Sequence, residues 1–233
     1  MKPQFVAWTL LFVSVVPIGA QDAVDLHIEA VGGASALAAI QSMERSGRAK
    51  VVTPQGEFPS SYREVYDLVG DRGSTSLNSA FFNVQTGWAE REGWRDHSVE
   101  GFSRMEPAAL ALAKLRSSPS VIASVLRQYG RAALQPLEEC VYEGEPCDVV
   151  RFVGSPTEVL LSRESHMIVA LVIPDFMTYH FRDYQDESGF LLPREVIVQI
   201  PSQGLSVTYD YRKTVFDGKL KDRLFKNPRP NKE

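Results

Sequence analysis

Leu205-Ser206-Val207-Thr208-Tyr209-Asp210-Tyr211-Arg212-Lys213-Thr214-Val215-Phe216 is the stretch whose reading decides the fold. Leu205, Val207, Tyr209, Tyr211 and Val215 share one parity, and Ser206, Thr208, Asp210, Arg212 and Thr214 share the other. Period-2 alternation marks a strand with one apolar face. The whole run from Glu138 to Phe216 has this character, as short strand-like segments joined by turns at Glu143-Gly144, Arg163–Ser165, Glu187–Gly189 and Ser202–Gly204. No helical pattern interrupts it.

A second strand series precedes this one. Glu44 to Val52 alternates loosely, Pro54-Gln55-Gly56 is a turn signal, and Tyr62, Glu64, Tyr66 and Leu68 share a face. Ser74–Asn78, Phe81–Trp88 and Gly93–Val99 continue at meander spacing, which argues for antiparallel sheet. Two helical segments separate the series. Pro107, at a favoured first helical position, opens a segment rich in alanine and leucine that runs to Leu115. After Ser118-Pro119, the residues Val121, Ile122, Val125, Leu126 and Tyr129 trace one apolar helical face, and Gly130 closes it. That face needs a partner, and the sheet is the only large one. At the start of the chain, Val24, Ile28 and Val31 form a stripe that ends at Gly32-Gly33, with a short second helix to Ile40. The fold class expected is mainly β with some α: about eleven antiparallel strands, strongly curved, with helices packed in the concave side.

Met1 to Ala20 has the layout of a secretory signal peptide: one lysine, an apolar run from Phe5 to Val16, Pro17, and a small residue before Gln21. The run is shorter than the roughly 20 residues a membrane span needs. Cleavage after Ala20 and a periplasmic location are expected, with secretion as the alternative. Residues 21–226 are then read as one domain, and the proline- and charge-rich residues 227–233 as a flexible tail. No later stretch is long and apolar enough to cross a membrane as a helix. With 44% hydrophobic residues the chain can build a core, and its net charge of −4, spread without a basic stripe, makes nucleic acid a poor partner.

Cys140 and Cys147 bracket Val-Tyr-Glu-Gly-Glu-Pro. In an exported chain a close pair flanking a turn is expected to form a disulfide, contributing roughly 2–3 kcal/mol. The competing reading is two reduced thiols that pack.

The order of the pieces resembles the LolA/LolB-like superfamily of outer-membrane lipoprotein carriers and receptors. The resemblance rests on Ile28-Glu29-Ala30-Val31-Gly32-Gly33, the Gly87-Trp88 pair, the central helices, and Tyr142–Cys147 leading into Asp148-Val149-Val150. It continues through Phe181-Arg182-Asp183-Tyr184, Gly189, Leu192-Pro193, Phe225 and Pro228. It implies a half-barrel whose concavity can take acyl chains. The acyl-binding positions of the carriers do not map onto this sequence, and no lipobox is present.

The four histidines, His27, His97, His166 and His180, stand apart on different segments without ligand spacing, and no nucleophile elbow, phosphate loop or zinc motif occurs. No metal, cofactor or catalytic residue is therefore assigned. The better lead is an apolar and aromatic set: Phe82, Val84, Trp88, Trp94, Leu112, Leu115, Val121, Val125, Tyr209 and Tyr211 are the candidates for lining a ligand cavity. The competing reading is that they fill the core. The function expected is non-enzymatic binding of a lipid, a lipoprotein acyl chain or another hydrophobic molecule, in envelope lipid or lipoprotein trafficking. The alternatives are an envelope interaction or sensor module with a filled core, and an enzyme that reuses the fold, for which His180, Arg182 and a carboxylate facing the cavity would be the sign.

Overall fold

The computed structural model describes residues 20–227. The expected signal peptide, apart from Ala20, and the expected tail, apart from Asn227, lie outside them. The chain opens with helices α1 (Ala20–Val31) and α2 (Ala34–Ala39). Strands β1 (Ser42–Thr53), β2 (Gly56–Asp67), β3 (Arg72–Ser79), β4 (Asn83–Ala89), β5 (Glu92–His97) and β6 (Gly101–Arg104) follow as a meander. Helices α3 (Pro107–Leu115) and α4 (Val121–Tyr129) come next. The second half comprises β7 (Leu134–Pro136), β8 (Cys140–Tyr142), β9 (Glu145–Phe152), β10 (Glu158–Ser162) and β11 (Ile168–Ile173). It ends with β12 (Met177–Glu187), β13 (Phe190–Ile200) and β14 (Leu205–Phe216).

All fourteen strands join one antiparallel sheet in the order β6-β5-β4-β3-β2-β1-β14-β13-β12-β11-β10-β9-β7, with β8 paired to β9. The count exceeds the expected eleven because β6, β7 and β8 are only four, three and three residues long. The two meanders are sewn together by their outermost members in sequence, β1 and β14.

The concave face carries the helices. The main core runs from Val24, Ile28 and Val31 of α1, through Ile122 and Val125 of α4, to Leu161, Leu171, Leu192 and Tyr211 of the sheet. Ser120 caps α4, its hydroxyl accepting from the amides of Ile122 and Ala123. A smaller cluster of Met43, Tyr66, Trp88 and Leu110 lies under α3. Trp88 can lie flat there because Gly73 opposes it: a Cβ at Gly73 would come 2.2 Å from the indole ring.

One parity shifts. Gly47 pairs with Tyr211 and Ser46 with Lys213, so Arg212 is an extra residue, a β-bulge. Beyond it Phe216, not Val215, faces the core, packing on Phe190. The expectation that Val215 shares a face with Tyr211 fails here, because a bulge reverses the alternation.

The convex face is covered in two places. Cys147, Val149, Leu160 and Ala170 form a satellite cluster beneath Leu137, Cys140 and Tyr142. Val65, Trp94 and Leu224, the last from the segment after β14, line a shared hollow on this face.

Candidate functional site

A cleft of about 800 Å³, open on one side, separates α3 from the sheet. One wall is Ala108, Ala109, Ala111, Leu112 and Leu115 of α3. The other walls are Thr75, Leu77, Val84 and Thr86 of β3–β4, and Ile173, Phe176, Met177 and Tyr179 around the β11–β12 turn. Tyr62 of β2 and Tyr209 of β14 line it as well, their rings 4.4 Å apart. The alanines of α3 leave the volume unfilled: small side chains on a short helix facing a curved sheet cannot reach across. Such a volume lies within the range of ligand pockets.

At the inner end stands a buried polar cluster. Glu64, only 2% exposed, accepts hydrogen bonds from Tyr62 (2.8 Å), Tyr66 (3.0 Å) and Tyr211 (3.2 Å). The Arg116 Nη2 lies 3.5 Å from it and donates to Tyr62 Oη at 3.3 Å. Arg45 lies 4.0 Å away on the other side, stacks 3.5 Å over the Tyr211 ring and donates to the Pro193 carbonyl at 2.5 Å. Burial, followed by the Glu64 charge, pushes the hydroxyls of Tyr62, Tyr66 and Tyr211 well above the ordinary tyrosine range. Burial opposes the Arg116 charge, but the tyrosines around it outweigh burial and hold its pKa above the usual value. The three tyrosines therefore stay neutral and Arg116 charged at neutral pH.

Behind this cluster lies a second space of about 50 Å³, lined by His27, Arg45, Glu64, Arg116, Ser118 and Tyr184 among others. It exceeds the ~15 Å³ a single water requires. Arg45 Nε and Ser118 Oγ are buried with no partner among the described residues. His27 bridges α1 to its surroundings, Nδ1 to the His166 carbonyl (2.8 Å) and Nε2 to Ser120 Oγ (2.7 Å). Burial lowers its pKa to about 4.

Four of the ten candidate lining residues, Val84, Leu112, Leu115 and Tyr209, are brought together in the cleft. Tyr211 belongs to the polar cluster behind it. Val121 and Val125 are buried on the core face of α4, and Trp88 is sealed under α3. Phe82 sits in the β3–β4 turn against Phe58 and stacked on His97. Trp94 is on the opposite, convex face, because it pairs with Gly87 in the row that runs through Ser74 to Val65. Leu77, Ile173, Phe176, Met177, Tyr179 and the α3 alanines are among the lining residues that reasoning from aromatic content did not single out. The alanine spacing in Ala108-Ala109-Leu110-Ala111 was the available signal.

His180 and Arg182 also lie on the convex face. His180 meets Tyr142 Oη at 2.9 Å, and Arg182 pairs with Glu143 at 3.1 Å. Neither faces the cleft. Cys140 and Cys147 are not joined in the structure and stand directly opposite each other across β8 and β9. Burial raises the Cys147 thiol to about 11.

No family model and no curated protein matches the sequence. Solved structures do match the fold. A LolA superfamily protein from Nitrosomonas europaea superposes with a TM-score of 0.57 at 13% identity, over 90% of this chain and 98% of that one. The chain has the LolA/LolB-like fold. A DUF1329 family protein from Desulfovibrio piger (TM-score 0.56, 11% identity) superposes over 90% of this chain and 97% of its own. A putative outer membrane lipoprotein-sorting protein domain from Vibrio parahaemolyticus (0.55, 10%) does so over 88% and 97%. In this LolA/LolB-like sheet the helices occupy the concavity and the cleft lies between them and the strands. Among the described residues no helix is long and apolar enough to cross a membrane.

Proposed function

We propose that this is an exported, non-enzymatic binding protein that holds a lipid, a lipoprotein acyl chain or another hydrophobic molecule in the cleft beneath α3. The observation that carries the reading is the cleft itself: about 800 Å³, walled by alanine, leucine, methionine and aromatic side chains. Burying apolar ligand surface there is favourable by about 25 cal/mol per Å² before the costs of association. The likeness to the putative outer membrane lipoprotein-sorting domain from Vibrio parahaemolyticus supports the same reading, and the signal-like Met1–Ala20 supports a periplasmic site of action. An open volume of this size weighs against an envelope module with a filled core.

The test is native mass spectrometry of the exported protein, followed by solvent extraction and lipid analysis. The expected result is a mass excess that extraction removes and that corresponds to an acyl-containing molecule. Protein that is always empty, and that stays empty after incubation with long-chain lipids, would overturn the reading.

A further inference from the structure

The cleft is mainly apolar, with Thr75, Thr86, Thr157 and, at the start of α3, Glu106 also on its walls, and Arg116 stands where it meets the buried polar cluster. Arg116, with its side chain 24% exposed, lines both the cleft and the small polar space behind it. Its guanidinium is framed by the faces of Tyr179 and Tyr209, 5.6 and 5.5 Å from the ring centroids. Arg45 lies on the far side of Glu64. Among the described residues, Glu64 is the only carboxylate within ion-pair reach of either arginine. Two guanidinium groups therefore share one carboxylate, and Glu64 is already committed to three tyrosine hydroxyls. His27, beside them, is neutral above about pH 4 and adds no charge.

The cluster thus carries one positive charge in excess in a region largely shut off from water. Buried charge is unfavourable unless it is paired, and a planar guanidinium is the group best shaped to pair a carboxylate with two parallel hydrogen bonds. An excess of one charge matches a monoanion better than a doubly charged phosphate monoester. We propose that the ligand is a long-chain amphiphile with a terminal carboxylate, bound head-inward, the carboxylate on Arg116 and the chain running along α3 past Leu112. This rests on the cleft being a ligand site, and adds the chemical class and the direction of insertion. Tyr62 and Tyr209 line the cleft beside Arg116, and the exposed Phe176 borders it on the β11–β12 turn.

The experiment is a displacement titration of the full exported protein at pH 7.5 with hexadecanoate, hexadecanol and hexadecyl phosphate, which share one chain and differ in the head. Hexadecanoate is expected to bind at least tenfold more tightly than hexadecanol, and more tightly than hexadecyl phosphate. In Arg116→Gln the preference for acid over alcohol falls to within twofold. Arg116→Lys retains part of the preference, because it keeps the charge and loses the planar fork. Equal binding of acid and alcohol by the wild type would overturn the inference and leave the cleft reading standing. So would a phosphate preference, or an acid preference that survives in Arg116→Gln. Failure of all three compounds to bind would overturn the cleft reading itself, and this inference with it.

Discussion

Glu64 is the residue on which the inner end of the cleft turns. Replacing it with leucine would leave Arg45 and Arg116 facing each other with no carboxylate between them, and three buried tyrosine hydroxyls without their acceptor. Removing one partner of a buried ionic cluster costs about 3–5 kcal/mol. Glu64→Leu is expected to lower urea-unfolding stability by that amount. His27 makes a second prediction. Its folded pKa of about 4 lies below the ordinary 6.5. As pH falls below 6.5 the unfolded chain therefore takes up a proton that the folded chain refuses. Stability should be full above pH 6.5 and decline to about pH 4, by about 3 kcal/mol in all. Unfolding midpoints measured between pH 7.5 and 4 check this, and His27→Gln should flatten that limb. Glu64 was partly legible in the sequence, as a carboxylate on the same strand face as Tyr62 and Tyr66. Its arginine partners were not, since they lie on β1 and just beyond α3 and only the folded sheet brings them to it.

Among the elements, α4 is the one whose sequence specified its packing most directly. Its apolar face is buried through Val121, Ile122 and Val125, with Ile122 fully inaccessible and Ser120 supplying the cap, whereas Tyr129 at its end is exposed. Ile122→Ala is expected to cost about 2–5 kcal/mol in equilibrium unfolding, as for other large-to-small core changes. The alternation of β14 was legible as far as Tyr211. The reversal beyond it was not, because the bulge arises from pairing with Gly47 across the sheet. The short strand β6 escaped for a related reason: four residues carry too little pattern, and Gln135–Tyr142, which reads as a single strand, divides into β7 and β8. The β8–β9 hairpin supplies another prediction. Its register sets Cys140 against Cys147, at the separation where opposed side chains meet. We expect thiol labelling of the denatured, unreduced exported protein to find no free cysteine, and Cys140→Ser with Cys147→Ser to cost roughly 2–3 kcal/mol. Full labelling without reductant would contradict this.

For the whole molecule, a curved antiparallel sheet with helices in its concavity was legible from strand patterning and the placement of the amphipathic segments. The joining of β1 to β14 was not, because no local pattern encodes a pairing between the two ends of the strand series. The cleft was misjudged in detail for a related reason. Large aromatics such as Trp88 and Trp94 are buried or turned to the other face, whereas the open volume exists where α3 presents alanines. The central claim, that this volume is a ligand site, is tested most directly by titrating a fluorescent long-chain fatty acid into the wild type and Ala111→Trp. Ala111 is exposed and borders the cleft, so the indole can enter the volume without disturbing the core. The prediction is saturable binding of one ligand per chain, weakened at least tenfold in Ala111→Trp with an unchanged unfolding midpoint. No saturable binding, or equal affinity in both proteins, would contradict it.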